Sequence, residues 1–331
     1  MITGMRLPPA LRGCMLAATM TLSTPLATAG GVTTPEPEGE TLRLWPGGAP
    51  GAEHVTAHEV FTERAPDGPL KDRIVEHVTR PAIVLFHARA PANGVTLLIV
   101  PGGGYARVVI DKEGFESAQW FAARGFECAV LRYRLPADGW AAGADAPVLD
   151  GLRALRLLRS RQAATSGAAP ARLGVIGFSA GGHLVARLIT EPALGYPRVD
   201  AADDRAVRPD FAVLMYPVIA TAGAAAHGGS AGQLRAAGVP AAQLERLSPH
   251  LHVDASTPRT LLVHAADDDA VPVENSLMMF EALRRAGVRS ELHVFDRGGH
   301  GFGMRAIAGK DAAAWPQLVQ AWALADDAES H

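Results

Sequence analysis

The chain has 331 residues, 48% of them apolar and 20% charged, with a formal net charge of −3. That is enough material for one large globular domain or two small ones, and so even a charge balance leaves no electrostatic footprint for nucleic acid or an anionic membrane surface. No apolar run downstream of the N-terminus has the length needed to span a bilayer.

In chain order, residues 1–29 read as a Sec-type signal peptide. Arg6 and Arg12 supply a positive region, Met15 to Ala27 is a short apolar stretch of small residues, and Ala27-Thr28-Ala29 offers an A-x-A cleavage site. The expected location is therefore periplasmic or secreted. Cleavage removes Cys14 and leaves Cys128 alone, so no internal disulfide is expected, and Cys128 in GFECAVLRYR reads as a packed thiol on a buried strand. Residues 30–41, which include TTPEPEGE, read as a flexible linker, and a single domain follows over 42–331.

Within that domain, apolar β-rich runs at 82–87, 95–100, 127–131, 173–178, 211–216, 260–264 and 291–295 alternate with helical patterns at 113–124, 146–161, 180–190, 274–286 and 312–324. In the second helix Leu149, Leu152 and Leu155 step at helical spacing, which predicts the arginines on the solvated side. Strands apolar nearly throughout are those buried on both faces, so the alternation predicts an α/β fold with a mostly parallel central sheet and helices on both faces. Residues 219–252 break the rhythm. A long connection after a strand's carboxyl end lies over the ligand crevice of such a sheet, so this stretch is a candidate small lid or a plain surface excursion.

The strongest chemical signal is LGVIGFSAGGHL, which holds G-x-S-x-G as Gly177, Phe178, Ser179, Ala180 and Gly181. An apolar strand runs into Ser179 and a helical pattern runs out, the sharp turn that presents a serine Oγ above a sheet. A serine nucleophile requires a base, and the base a third group to hold its tautomer, in the chain order Ser, acid, His for this fold. Downstream, Asp267, Asp268 and Asp269 follow one strand and His300 follows the last. Periodicity leaves open which aspartate orients His300. A metal role for the three carboxylates, or for His250 and His252, lacks the further ligands at patterned spacing that such sites need.

Three glycines follow the strand in VTLLIVPGGGYARVVI. A dinucleotide fingerprint fails because Arg107 stands at the sixth position from Gly102, and a phosphate-binding G-x-x-x-x-G-K-[ST] loop is absent. Tyr105 to Ile110 reads as extended, with a helix starting near Asp111 as its cap. The pattern fits a loop whose backbone N–H groups receive an oxyanion together with the N–H after the nucleophile, that of Ala180.

The sequence resembles the α/β-hydrolase esterases with an HGGG-type oxyanion loop, and within them the secreted bacterial acetyl xylan esterases and the related feruloyl esterases of the BD-FAE type. The resemblance covers nearly all of the mature chain: LWPGGAPGA from Leu44, VPGGGYARVVIDKEG from Val100, LRYRLP from Leu131, GFSAGGHL, the D-x-x-V-P element ending at Pro272, and GGHGFG from Gly298. It implies the α/β-hydrolase fold, Ser179 as nucleophile, His300 as base, Asp268 as orienting acid, and Gly103, Gly104 and Ala180 as oxyanion donors. One departure stands out: Pro101 occupies the position where many members have His, so the loop must be braced differently.

The expected activity is removal of short acyl groups, acetyl above all, from xylan or a related plant polysaccharide, with no cofactor. The alternatives are a carboxylesterase for small or aromatic (feruloyl) esters, a serine exopeptidase, and a non-catalytic binding protein on the same scaffold. Tyr105 and Trp140 are candidate substrate-binding aromatics, with plain packing as the other reading; Asp150 and His183 read as structural.

Overall fold

The computed structural model describes residues 1, 32–33, 39–89, 91–165, 171–305 and 307–325. The segment expected to be a signal peptide lies outside them except for Met1. Among the described residues the strands are β1 (Val32–Thr33), β2 (Thr41–Arg43), β3 (Val60–Glu63), β4 (Arg73–Glu76), β5 (Ala82–Phe86), β6 (Val95–Val100), β7 (Glu127–Arg132), β8 (Arg172–Phe178), β9 (Phe211–Met215), β10 (Arg259–Ala265) and β11 (Ser290–Phe295). The α-helices are α1 (Glu116–Ala122), α2 (Ala146–Thr165), α3 (Ala180–Thr190), α4 (Gly228–Ala236), α5 (Glu274–Arg285) and α6 (Trp315–Leu324).

Eight strands form the main sheet in the order β11-β10-β9-β8-β6-β7-β5-β2. All neighbours from β11 to β7 run parallel; β5 is antiparallel to both β7 and β2. The fold is therefore the expected mostly parallel sheet. Its central strands have no polar face because helices cover both sides: every residue of β6, β9 and β10 is buried. β11 closes the edge and is only half-buried. Helices α1 and α6 meet through Phe121 and Trp315, while α2 packs on α3.

The chain passes from β6 through α1 to β7 and then returns to lay β8 on the other side of β6. Loops leaving the carboxyl ends of the two strands at such a reversal diverge and open a crevice. Val100 is in register with Gly177, so the glycine loop and the Ser179 turn emerge side by side. Ala265 is in register with Phe295, which does the same for the loops carrying Asp268 and His300.

Several local expectations are corrected. β1 pairs with β3, and β3 with β4, in a small antiparallel sheet that no apolar run announced. The expected linker is entered by strand at both ends, by Val32–Thr33 and by Thr41, while residues 34–38 lie outside the described ones. Asp111 does not cap a helix: a π-turn, Ile110–Phe115, opens α1, and the Asp111 carboxylate binds the Arg73 backbone N–H at 2.7 Å and its guanidinium at 2.7 and 2.8 Å. Nor do all arginines of α2 face solvent. Arg153 is fully buried and paired with Asp200 and Asp203, acids that follow α3 and are remote in sequence. Cys128 is a buried free thiol. Among the described residues no helix is long and apolar enough to cross a membrane.

Candidate active site

Ser179 sits between β8 and α3 with φ 51° and ψ −118°. A non-glycine residue there carries strain of about 1–3 kcal/mol, and its neighbours hold it in place. Its N–H donates to the Met215 carbonyl at 3.0 Å, and its own carbonyl accepts from Val218 and His183. The flanking glycines permit the sharp turn, since a Cβ on Gly177 would overlap the Gly181 carbonyl and one on Gly181 the carbonyls of Val100 and Pro101.

Ser179 Oγ lies 2.9 Å from His300 Nε2, and His300 Nδ1 lies 2.8 Å from Asp268 Oδ2. Of the three adjacent aspartates only Asp268 is buried; Asp267 and Asp269 face solvent. The other Asp268 oxygen accepts from the N–H groups of Ala270 and Val271 at 3.0 and 2.8 Å, and His264 Nε2 stands 3.3 Å from Oδ2. Burial by itself disfavours the carboxylate, but the hydrogen bonds from His264, His300 and Val271 outweigh it and hold Asp268 below the ordinary carboxyl range. Asp267 acts on the backbone instead. Its Oδ1 accepts from Gly298 and Gly299, both at 2.7 Å, and so fixes the loop that carries His300.

The glycine loop is held from behind by Glu113. Its Oε2 accepts the Gly102 N–H at 2.7 Å and its Oε1 the Tyr216 hydroxyl at 3.0 Å, which in turn accepts from Gly303 at 3.1 Å. The Tyr133 hydroxyl donates to the Pro101 carbonyl at 2.9 Å. These contacts do the bracing in a loop with Pro at 101. Gly103 has φ 129°, and a Cβ there would overlap the Arg107 carbonyl, so only glycine fits. Among the described residues no protein group accepts from the N–H of Gly103, Gly104 or Ala180. Three donors beside Ser179 without a protein acceptor are what an oxyanion requires.

The two aromatic expectations are corrected. Tyr105 is only 2% exposed, and its hydroxyl bonds His183 Nδ1 at 2.7 Å; Trp140 is 5% exposed and stacks near the Arg134 guanidinium. Both are packed in the interior, the other reading that the sequence left open for them. His183 bonds the Leu247 carbonyl at 2.8 Å, and burial, reinforced by Arg187, pushes its pKa down to about 3. Asp150 is a buried partner of Arg134 and accepts from Trp45 Nε1. Both are structural, as the sequence suggested.

Sequence reasoning missed Glu113, His264, Tyr216 and His227. Glu113 stood in plain view in the D-K-E-G element; the rest had no local pattern. The excursion 219–252 folds as α4 with the 3-10 turns Ala241–Leu247 and Pro249–Leu251, and it carries His227 to a ring stacked on His300, centroids 6.5 Å apart and planes 17° apart.

A sheet with these crossovers and a serine, an acid and a histidine on its carboxyl-edge loops defines an α/β-hydrolase. Known proteins agree. The profile of the Prolyl oligopeptidase family matches residues 233–324, the segment that holds Asp268 and His300. An acetylxylan esterase of Xylanibacter ruminicola is 31% identical over 64% of this chain and 42% of its own length. An endo-1,4-beta-xylanase B of Butyrivibrio fibrisolvens is 32% identical over 62% of this chain and 32% of its own. The chain thus spans less than half the length of these curated relatives. The crystal structure of an acetyl ester-xyloside bifunctional hydrolase from Caldicellulosiruptor lactoaceticus superposes with a TM-score of 0.66 at 31% identity, covering 86% of this chain and 96% of that one. The chain belongs to the α/β-hydrolase family.

Proposed function

We propose that this chain is a serine carboxylic ester hydrolase that removes acetyl groups from xylan or a related plant polysaccharide. The observation that carries the proposal is the unbroken link from Ser179 Oγ through His300 to a buried Asp268, beside three N–H groups that have no protein acceptor among the described residues. In this reading His300 Nε2 takes the Ser179 proton as Oγ attacks the ester carbonyl. Asp268 accepts from Nδ1–H, fixes the tautomer and stabilises the imidazolium. The N–H groups of Gly103, Gly104 and Ala180 receive the oxyanion. His300 then protonates the leaving alkoxide, and a water, activated by the same imidazole, releases acetate.

The acetyl and xylan assignments rest on the relatives, whose names couple acetyl-ester and xylan chemistry. Export rests on the N-terminal composition, with cleavage after Ala29. The prolyl oligopeptidase match gives peptide-bond cleavage as a second reading, although the segment it covers holds only the acid and the base.

The test is acetate and ferulate release from native xylan, run beside a chain-length series of simple esters and a peptide amide. Acetate release by the wild type, abolished in a folded Ser179→Ala variant, is expected. Turnover of amides alone, or undiminished ester turnover in the variant, would refute the reading.

A further inference from the structure

His227 stands between the glycine loop and the base, and the proposed ester hydrolysis gives its side chain no role. One ring nitrogen is accounted for. Nδ1 accepts the Ser230 N–H at 3.1 Å and has the Ser230 hydroxyl 2.8 Å away, so it begins α4 as the helix cap. A nitrogen that accepts an N–H carries no hydrogen of its own, so in the neutral ring the proton sits on Nε2. Among the described residues Nε2–H has no protein acceptor. Burial first, and the neighbouring His300 second, push the His227 pKa down, which keeps the ring neutral and a donor.

Its position says which part of a substrate it meets. The carbon attached to Ser179 Oγ in the tetrahedral intermediate bears an oxyanion, a leaving oxygen and an acyl group. The oxyanion lies toward Gly103, Gly104 and Ala180, and the leaving oxygen toward His300 Nε2. The His227 ring borders both: a Cβ placed on Gly104 would stand 3.6 Å from His227 Cε1, and the ring is stacked on His300. It therefore borders the place that the leaving alcohol takes. An ester on a ring hydroxyl of a pyranose has an oxygen on the adjacent ring carbon, within reach of a donor so placed.

Building on the ester hydrolase reading, we infer that His227 Nε2–H donates a hydrogen bond to the hydroxyl vicinal to the scissile ester, so that the enzyme selects esters of vicinal diols such as sugar rings. The contact selects the alcohol and leaves the acyl group unread.

The test compares cyclohexyl acetate with trans-2-hydroxycyclohexyl acetate, which differ only in that hydroxyl. The variant is His227→Asn: asparagine retains a helix-capping acceptor but is too short to place a donor where Nε2 stands. The wild type is expected to favour the hydroxy ester by about tenfold in kcat/KM, the scale of one hydrogen bond, and the variant to bring that ratio near one. A ratio unchanged by the substitution in a variant with a native melting curve overturns the inference. So does a wild type that hydrolyses both esters equally, which leaves the esterase reading standing. A wild type that hydrolyses neither ester, nor any in the chain-length series, removes the esterase reading and this inference with it.

Discussion

Replacing Glu113 by glutamine tests whether the glycine loop is held from behind as described. Glu113 is buried, and both of its oxygens accept: one from Gly102 N–H at 2.7 Å, the other from the Tyr216 hydroxyl at 3.0 Å. Glutamine offers one acceptor and one NH₂ donor. If its oxygen faces Gly102, that bond survives without the carboxylate charge and weakens by about 1 kcal/mol. The NH₂ then meets a tyrosine oxygen that already accepts from Gly303 and whose proton has lost its acceptor. An orphaned buried hydroxyl costs about 1–3 kcal/mol. The total, about 2–4 kcal/mol, divides between global stability and alignment of Gly103 and Gly104. Deleting an oxyanion donor costs about 10²–10³ in kcat, so a displaced loop should cost about 10–100-fold, with KM close to wild type because the contact forms in the transition state. Steady-state kinetics on an aryl acetate, paired with calorimetry, reads both parts. A folded Glu113→Gln enzyme with wild-type kcat would show that the carboxylate does not align the loop, even if the melting temperature fell.

Asp268→Asn should lower kcat by about 10⁴-fold while the protein stays folded, because an amide facing His300 favours the wrong tautomer; a loss below tenfold would move the orienting role elsewhere. Acid sensitivity should trace partly to His183. Its folded pKa of about 3 lies below the ordinary value of 6.5, so the unfolded chain binds the extra proton in that window. Stability contributed by the neutral ring is then complete above about pH 6.5 and falls, by up to about 1.4 kcal/mol per pH unit, as pH drops toward 3. Denaturant unfolding of His183→Gln between pH 6 and 4 should show a shallower decline than the wild type, and an equal slope would contradict the assignment.

The sheet's central strands, the glycine-flanked turn at Ser179 and the places of Asp268 and His300 in loops just past strands are legible in the sequence because each is local. A buried parallel strand is an unbroken apolar run, and a strand-to-helix turn needs small residues in a fixed pattern around Ser179. What fails to leave such a trace is any contact between remote segments. Strands β3 and β4 are short and only partly buried, so no run announces them. The burial of Arg153 depends on Asp200 and Asp203 arriving from beyond α3, and nothing in the spacing of α2 shows it. Tyr105 and Trp140 sit in loops like pocket residues, yet packing drew both inside. Folding in three dimensions chose Asp268 among three adjacent carboxylates, by burying it under Val271 N–H and His264 while leaving its neighbours in water. It also set Glu113 behind the glycines and His227 beside His300. The physical reason is common to all of these: a titratable side chain takes its role from the groups that desolvate it and hydrogen-bond to it, and those come from distant parts of the chain.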